Sequence, residues 1–110
     1  MSMFSSLSAV PPQIDFGALE QGPILIDWTA RLADLQGSVP SNPVTYFWDV
    51  AAATEIPLPP PAVSGMLVSQ EINVELTPGK RYRIQQTVIP STATGIIRET
   101  ILDLVVPTNS

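Results

Sequence analysis

Lys80, Arg81 and Arg83 cluster within four positions, and with Arg98 they hold four of the five positive charges of a chain that carries ten acidic residues. On an acidic protein such a cluster makes one pole positive, able to pair with an acidic patch on a neighbouring copy or partner. The alternative is a solvated turn balanced by Glu75 and Glu99. Pro78-Gly79-Lys80 lacks the repeated glycines and following helix of a phosphate loop. Glu71, Glu75, Glu99 and Asp103 alternate along outward strand faces, and no spacing sets two of them across a sugar as a glycosidase requires. Calcium would need clustered Asp and Asn in a loop, whereas the loops here are Pro, Ser and Thr. The chain has no histidine and no cysteine, so it lacks the usual proton carrier, the thiolate nucleophile and the commonest transition-metal ligands. The expectation is a protein with no catalytic residues, no metal and no cofactor, and hence not an enzyme.

The charge balance narrows the partners. A net charge of -5 works against attraction to a phosphate backbone, so nucleic acid is not expected. Residues 1–10 show neither a positive n-region nor a long apolar core, and no window approaches the ~18 apolar residues of a membrane span. The chain is therefore expected to be soluble, unexported by the Sec route and free of membrane contact. Yet 45% of residues are hydrophobic and only 14% are charged, well below the roughly 25% usual for soluble domains. So sparse a charged surface predicts that neighbouring molecules cover part of it.

A chain of 110 residues builds one domain with one core. Residues 1–22 contain Pro11-Pro12, Gly17 and Gly22 with scattered Ile14, Phe16 and Leu19, and no regular period runs through them. They read as an extended N-terminal arm. Either Ile14, Phe16 and Leu19 anchor it on a partner, ordering on binding, or it packs along its own domain or serves as a tether. From Ile24 the pattern has period two, with Ile24, Ile26 and Trp28 on one face and Leu25, Asp27 and Thr29 on the other. Asp27 thus faces outward where the arm arrives, a candidate for fixing the arm or a partner. Residues 29–36 read as a strand end followed by a turn.

In Val44-Thr45-Tyr46-Phe47-Trp48-Asp49-Val50, the residues Val44, Tyr46, Trp48 and Val50 are expected to face inward, with Trp48 as a core tryptophan. Pro57-Leu58-Pro59-Pro60-Pro61 cannot supply the donors of a central strand and reads as a stiff extended loop, a crossover or a contact. Residues 63–69 suggest a short strand. In residues 72–77, Ile72, Val74 and Leu76 alternate inward. Pro78-Gly79-Lys80-Arg81 is a turn, and Tyr82, opening the next strand, stands where a sandwich places a tyrosine bonding back to the turn. A closing strand over residues 96–106 turns Leu102, Leu104 and Val106 to one face.

Six or seven short strands without a convincing helix define the expected fold. It is an all-β, immunoglobulin-like antiparallel β-sandwich over residues 23–107, preceded by the arm and followed by a tail at 108–110. Its structural core is expected to include Trp28, Trp48 and Tyr82.

Four stretches carry a resemblance: Ile26-Asp27-Trp28-Thr29 with Leu32; Trp48-Asp49-Val50; Asn73-Val74-Glu75-Leu76-Thr77-Pro78-Gly79 running into Tyr82; and Arg98-Glu99-Thr100 ahead of Leu102 and Leu104. In this order, over roughly residues 14–106, the chain resembles the small immunoglobulin-like virion proteins of tailed bacteriophages, of the fibre-tail adaptor or head-tail accessory type. It departs from them in the polyproline loop and in Pro78-Gly79-Lys80-Arg81. The resemblance implies a structural protein of the virion, made in the host cytoplasm and present in multiple copies in a symmetric assembly. Its partners would be other virion proteins of the tail, neck, fibre or capsid.

On that reading the arm with Ile14, Phe16 and Leu19, and the surface with Asp27, Lys80, Arg81, Arg83 and Arg98, would bind the partner. Capsid decoration is the neighbouring alternative, and a carbohydrate-binding module is the alternative from another class. A sugar binder would expose two or three aromatics in one plane. Trp28, Tyr46 and Trp48 are expected to point inward, and all of these rings on one solvent face would overturn the structural reading.

Overall fold

The computed structural model describes residues 13–17 and 21–108. Among these residues it is all-β in two sheets, with one 3-10 turn at Ala30–Leu32. The strands are β1 (Gln13–Asp15), β2 (Gly22–Asp27), β3 (Pro40–Asp49), β4 (Thr54–Glu55), β5 (Ala62–Ser64), β6 (Leu67–Ile72), β7 (Arg81–Pro90) and β8 (Arg98–Val105). A five-stranded sheet has the order β1-β8-β7-β3-β4, and a three-stranded sheet the order β2-β6-β5. All pairings are antiparallel except β1 on β8, which is parallel. That parallel pair joins the arm to the closing strand, while the pairings within the sandwich itself are antiparallel.

One core fills the space between the sheets. Ile24 and Ile26 of β2 and Val68 and Ile72 of β6 meet Phe47 of β3, Ile84 and Val88 of β7, and Leu104 of β8. Period-two alternation produces this directly. In β7, Tyr82, Ile84, Gln86 and Val88 are buried in turn, while the residues between them are half-buried on the outer face. Fully burying one aliphatic side chain contributes about 1.5–3 kcal/mol, so the shared face of these strands is the main source of stability.

Three elements differ from their sequence reading. The residues after β2 form the 3-10 turn, in which the Leu32 amide donates to the Trp28 carbonyl at 3.0 Å and Leu32 is buried. The strand expected over residues 72–77 lies earlier, at Leu67–Ile72. Leu76 is nonetheless buried and Val74 packs against the core. The third difference is the phase of β3, which is opposite to that expected: Phe47 and Asp49 are buried, Val44 and Tyr46 are exposed, and Trp48 is half-buried. A bulge between Ser41 and Val44, with Asn42 at φ 47°, resets the register against β7. An extra residue at a bulge changes which side chains face the core.

The turn between β6 and β7 depends on one glycine. Gly79 has φ +84°, a region that L side chains rarely adopt, and a Cβ there would lie 2.9 Å from Cγ2 of Thr108. Its amide donates to the Val106 carbonyl at 2.9 Å, so the turn is stitched to the end of the closing strand.

Candidate functional site

The residues with chemical potential fall into two regions, one inside the fold and one on the outer face of the five-stranded sheet. Inside, Trp28 is delivered from the end of β2 into the core and is fully buried. Its indole N–H donates to Oε1 of Gln86 at 2.8 Å, and Nε2 of Gln86 donates to Oγ1 of Thr45 at 2.9 Å. A buried polar group without a partner is expensive, and here the chain of donors and acceptors closes. Tyr82 is buried too, its ring stacked on Phe47 with centroids 5.6 Å apart. The Thr77 amide donates to the Tyr82 hydroxyl at 2.9 Å, which ties the strand to the turn before it. Trp28 and Tyr82 therefore lie in the core as expected. Trp48 does not, because Phe47 takes the inward place on β3 and Trp28 is the tryptophan of the core.

The basic residues pair within the fold. Nζ of Lys80 lies 2.6 Å from a carboxylate oxygen of Asp49, whose other oxygen accepts from the amides of Ala51 and Ala52 at 3.0 and 3.2 Å. The Lys80 hydrogen bond holds the Asp49 carboxyl below its ordinary range, and the same contact raises Lys80. Arg83 grips the fully buried Asp103 through two nitrogens, at 2.7 and 3.2 Å, and Arg81 stands 3.6 Å from that carboxylate. The Asp103 hydrogen bond raises Arg83 above its usual value. Arg98 binds Asp34 with both terminal nitrogens, at 3.0 and 2.9 Å, and donates to the Arg31 carbonyl at 2.8 Å. Through the hydrogen bond it lowers the Asp34 carboxyl and is itself raised. Arg31 in turn donates to the Glu99 carbonyl. The cluster read as a candidate partner surface is thus engaged with Asp49, Asp103 and Asp34.

Asp27 faces solvent as expected, but it acts locally. Its carboxylate accepts from the Thr29 amide at 2.9 Å and the Thr29 hydroxyl at 2.6 Å. The hydroxyl contact, with the amide behind it, lowers its pKa. It caps the turn that inserts Trp28 into the core.

Of the three arm residues, Ile14 is on β1 and half open to solvent, Phe16 is buried in the core of its own domain, and Leu19 lies outside the described residues. The Phe16 amide donates to the Val105 carbonyl at 3.0 Å. An anchor role for Phe16 on a partner is corrected, since the ring is already spent on its own core. This part of the arm packs along its own domain.

Sequence reasoning missed the buried Gln86 and Gln70 of the inner face and the half-buried Thr45 that Gln86 bonds. The parity of β7 could have found Gln86, which stands between Ile84 and Val88. Gln70 holds the polyproline loop by donating from Nε2 to the Pro59 carbonyl at 2.8 Å, so that loop is a tied crossover between sheets. Its Oε1 has no partner.

Apolar side chains open to solvent include Leu25 on β2, at 61%, Ile97 before β8, at 69%, and a strip on the outer face of β3. Val44 and Tyr46 are 44% and 43% exposed there, with Trp48 beside them on the same face. Their neighbours on β7 are Thr87, Gln85 and Arg83. Gln85 donates to the Glu99 carboxylate and Arg83 is held by Asp103. The face is consequently an aromatic and aliphatic strip whose charges are neutralised in place. Among the described residues no three carboxylates gather as a metal would require, and no helix is long and apolar enough to cross a membrane. Comparison with family models, with curated proteins and with solved structures finds no match.

Proposed function

We propose that this chain is a non-enzymatic structural module of a tailed-phage virion, an immunoglobulin-like adaptor that attaches a fibre or a neighbouring protein to the tail or neck. The observation that carries the reading is that the four stretches of the resemblance lock onto one another in space. Arg98 of the last stretch closes on Arg31 and Asp34, next to the first stretch. Asp49 of the second receives Lys80 from the turn that the third stretch forms. Thr77 of the third binds Tyr82. Residues so used build a rigid body, which suits a protein that holds others in place.

The immunoglobulin-like assignment is supported by strand order. The order β1-β8-β7-β3-β4 over β2-β6-β5 is compatible with a variable-type sandwich, and the Tyr82 hydroxyl bonded to the Thr77 amide at the start of β7 supports a tyrosine corner. In the particle the module would stand in several symmetric copies against other virion proteins.

A truncation tests this. Because Gln13–Asp15 and Phe16 belong to the domain, the segment to remove is residues 1–12. The truncated protein is expected to fold with an unchanged thermal midpoint and to be lost from purified particles. Normal incorporation would contradict the proposal.

One observation favours a carbohydrate-binding module as a second reading: Tyr46 and Trp48 share a solvent face. Trp28 does not join them, and the nearby Arg83 and Gln85 are already engaged. Titration with cellohexaose and chitohexaose, followed at the Trp48 indole N–H by NMR, decides it, and saturable shifts would establish the sugar reading.

A further inference from the structure

We propose that the uncharged N-terminal segment of one copy, residues 1–10, docks on the outer face of β3 in a second copy, across Val44, Tyr46 and Trp48. This deepens the assembly reading above, on which it rests, by naming the partner and the site.

The site is a sheet face beside an open edge. Among the described residues β4 pairs with β3 only at Trp48 and Asp49, and beyond them the Ile56 amide meets the Phe47 carbonyl. Residues 44–46 have no strand paired with them on that edge, where Val44 and Tyr46 are exposed. Edges are commonly protected by charge, Pro or a bulge; here Pro43 and the bulge lie at the start of the strip, and residues 40–48 carry no charge. Arg83, beside Trp48, is neutralised by Asp103. A charged partner would find no counter-charge, and a sugar would find the adjacent polar groups occupied.

The occupant matches in chemistry and reach. No charged residue precedes Asp15, and residues 1–10 include Met1, Met3, Phe4, Leu7 and Val10. Ten extended residues span about 33 Å, more than the length of the open strip. The segment's own β3 is a poor target. Gln13 stands level with Asp103, Arg83 and Trp48 across the sheet, three strand spacings or about 14 Å away. Reaching Trp48 there would require the chain to turn sharply before Gln13, which a Pro-Pro sequence disfavours. A second copy can accept the segment without that turn, and a head-to-tail contact of this kind repeats from copy to copy, into a ring where the rotation closes.

The absence of cysteine makes the test clean. Ser6→Cys chains carrying a nitroxide are mixed with isotope-labelled, unmodified chains, and amide intensities are read on the latter. Loss of intensity at residues 44–48, removed by a Tyr46→Ser/Trp48→Ser double variant that keeps a folded spectrum, is the expected result. Unchanged intensity in the mixture overturns the inference, as does loss seen only when label and isotope share one chain. If the mixture is silent while removal of residues 1–12 still blocks incorporation, the arm binds another virion protein and only this inference falls. If the truncated chain also incorporates, the adaptor reading falls with it.

Discussion

The two tryptophans of this chain sit on opposite faces of the same architecture. Trp28 is fully buried and its N–H is satisfied by Gln86, which is in turn satisfied by Thr45. Trp48 lies on the outer face between Tyr46 and the Arg83–Asp103 pair, half open to solvent. One residue holds the sheets together, and the other is left where a partner can reach it. The difference teaches that aromatic content alone does not separate a core from a docking surface. The polar partners do so: the inner ring is hydrogen-bonded within the fold, and the outer one lies beside groups that have been neutralised.

Substitutions can break the comparison from either side. Trp28→Ala is expected to cost about 3–5 kcal/mol in urea unfolding, from the cavity and lost burial together. Trp28→Phe sharpens this, since it leaves Oε1 of Gln86 buried without its donor, at about 1–3 kcal/mol. Next comes Arg83→Leu, which strips the buried Asp103 of its two-pronged partner and leaves only Arg81 at 3.6 Å. A loss of about 3 kcal/mol follows. If Arg83→Leu proves neutral, the pair is not what secures the outer face.

Acid should weaken the fold in a defined way. The Asp49, Asp34 and Asp27 carboxyls lie below their ordinary values in the folded state. Their contribution is therefore complete above the unfolded value of about 3.9 and is lost as pH falls through the lower folded values. Asp49→Asn should flatten that acid limb in thermal melts, with no step between pH 5 and 8, where no histidine is present to titrate. The smallest expected effect on stability is at the outer strip: Tyr46→Ser should cost less than about 1 kcal/mol, the span of β-propensity.

Much of the fold was legible in the sequence, and the failures have specific causes. Leu102, Leu104 and Val106 are legible as one face of the closing strand by parity, and Tyr82 by its place directly after the Pro78–Arg81 turn. In β3 both parities are apolar or aromatic, Val44-Tyr46-Trp48 on one side and Phe47 on the other, so hydrophobicity could not choose. The choice rests on Gln86, which supports Thr45 and Trp28 together, and on the bulge at residues 41–44. These are contacts across strands. The strand expected at 72–77 was misplaced because the alternation runs on past Ile72 without a break. Nothing local marks β1, three residues paired in parallel to the edge of β8. The positive cluster was visible, but Asp49 and Asp103, which neutralise it, lie 31 and 20 residues away in sequence.

The central claim is that the outer strip of β3 serves assembly while the inner face serves folding. It is tested most directly by the copy number of the Tyr46→Ser/Trp48→Ser variant in purified particles, measured by quantitative mass spectrometry against the major capsid protein. The prediction is a folded variant absent from the particle. Wild-type copy number in the particle would contradict the account.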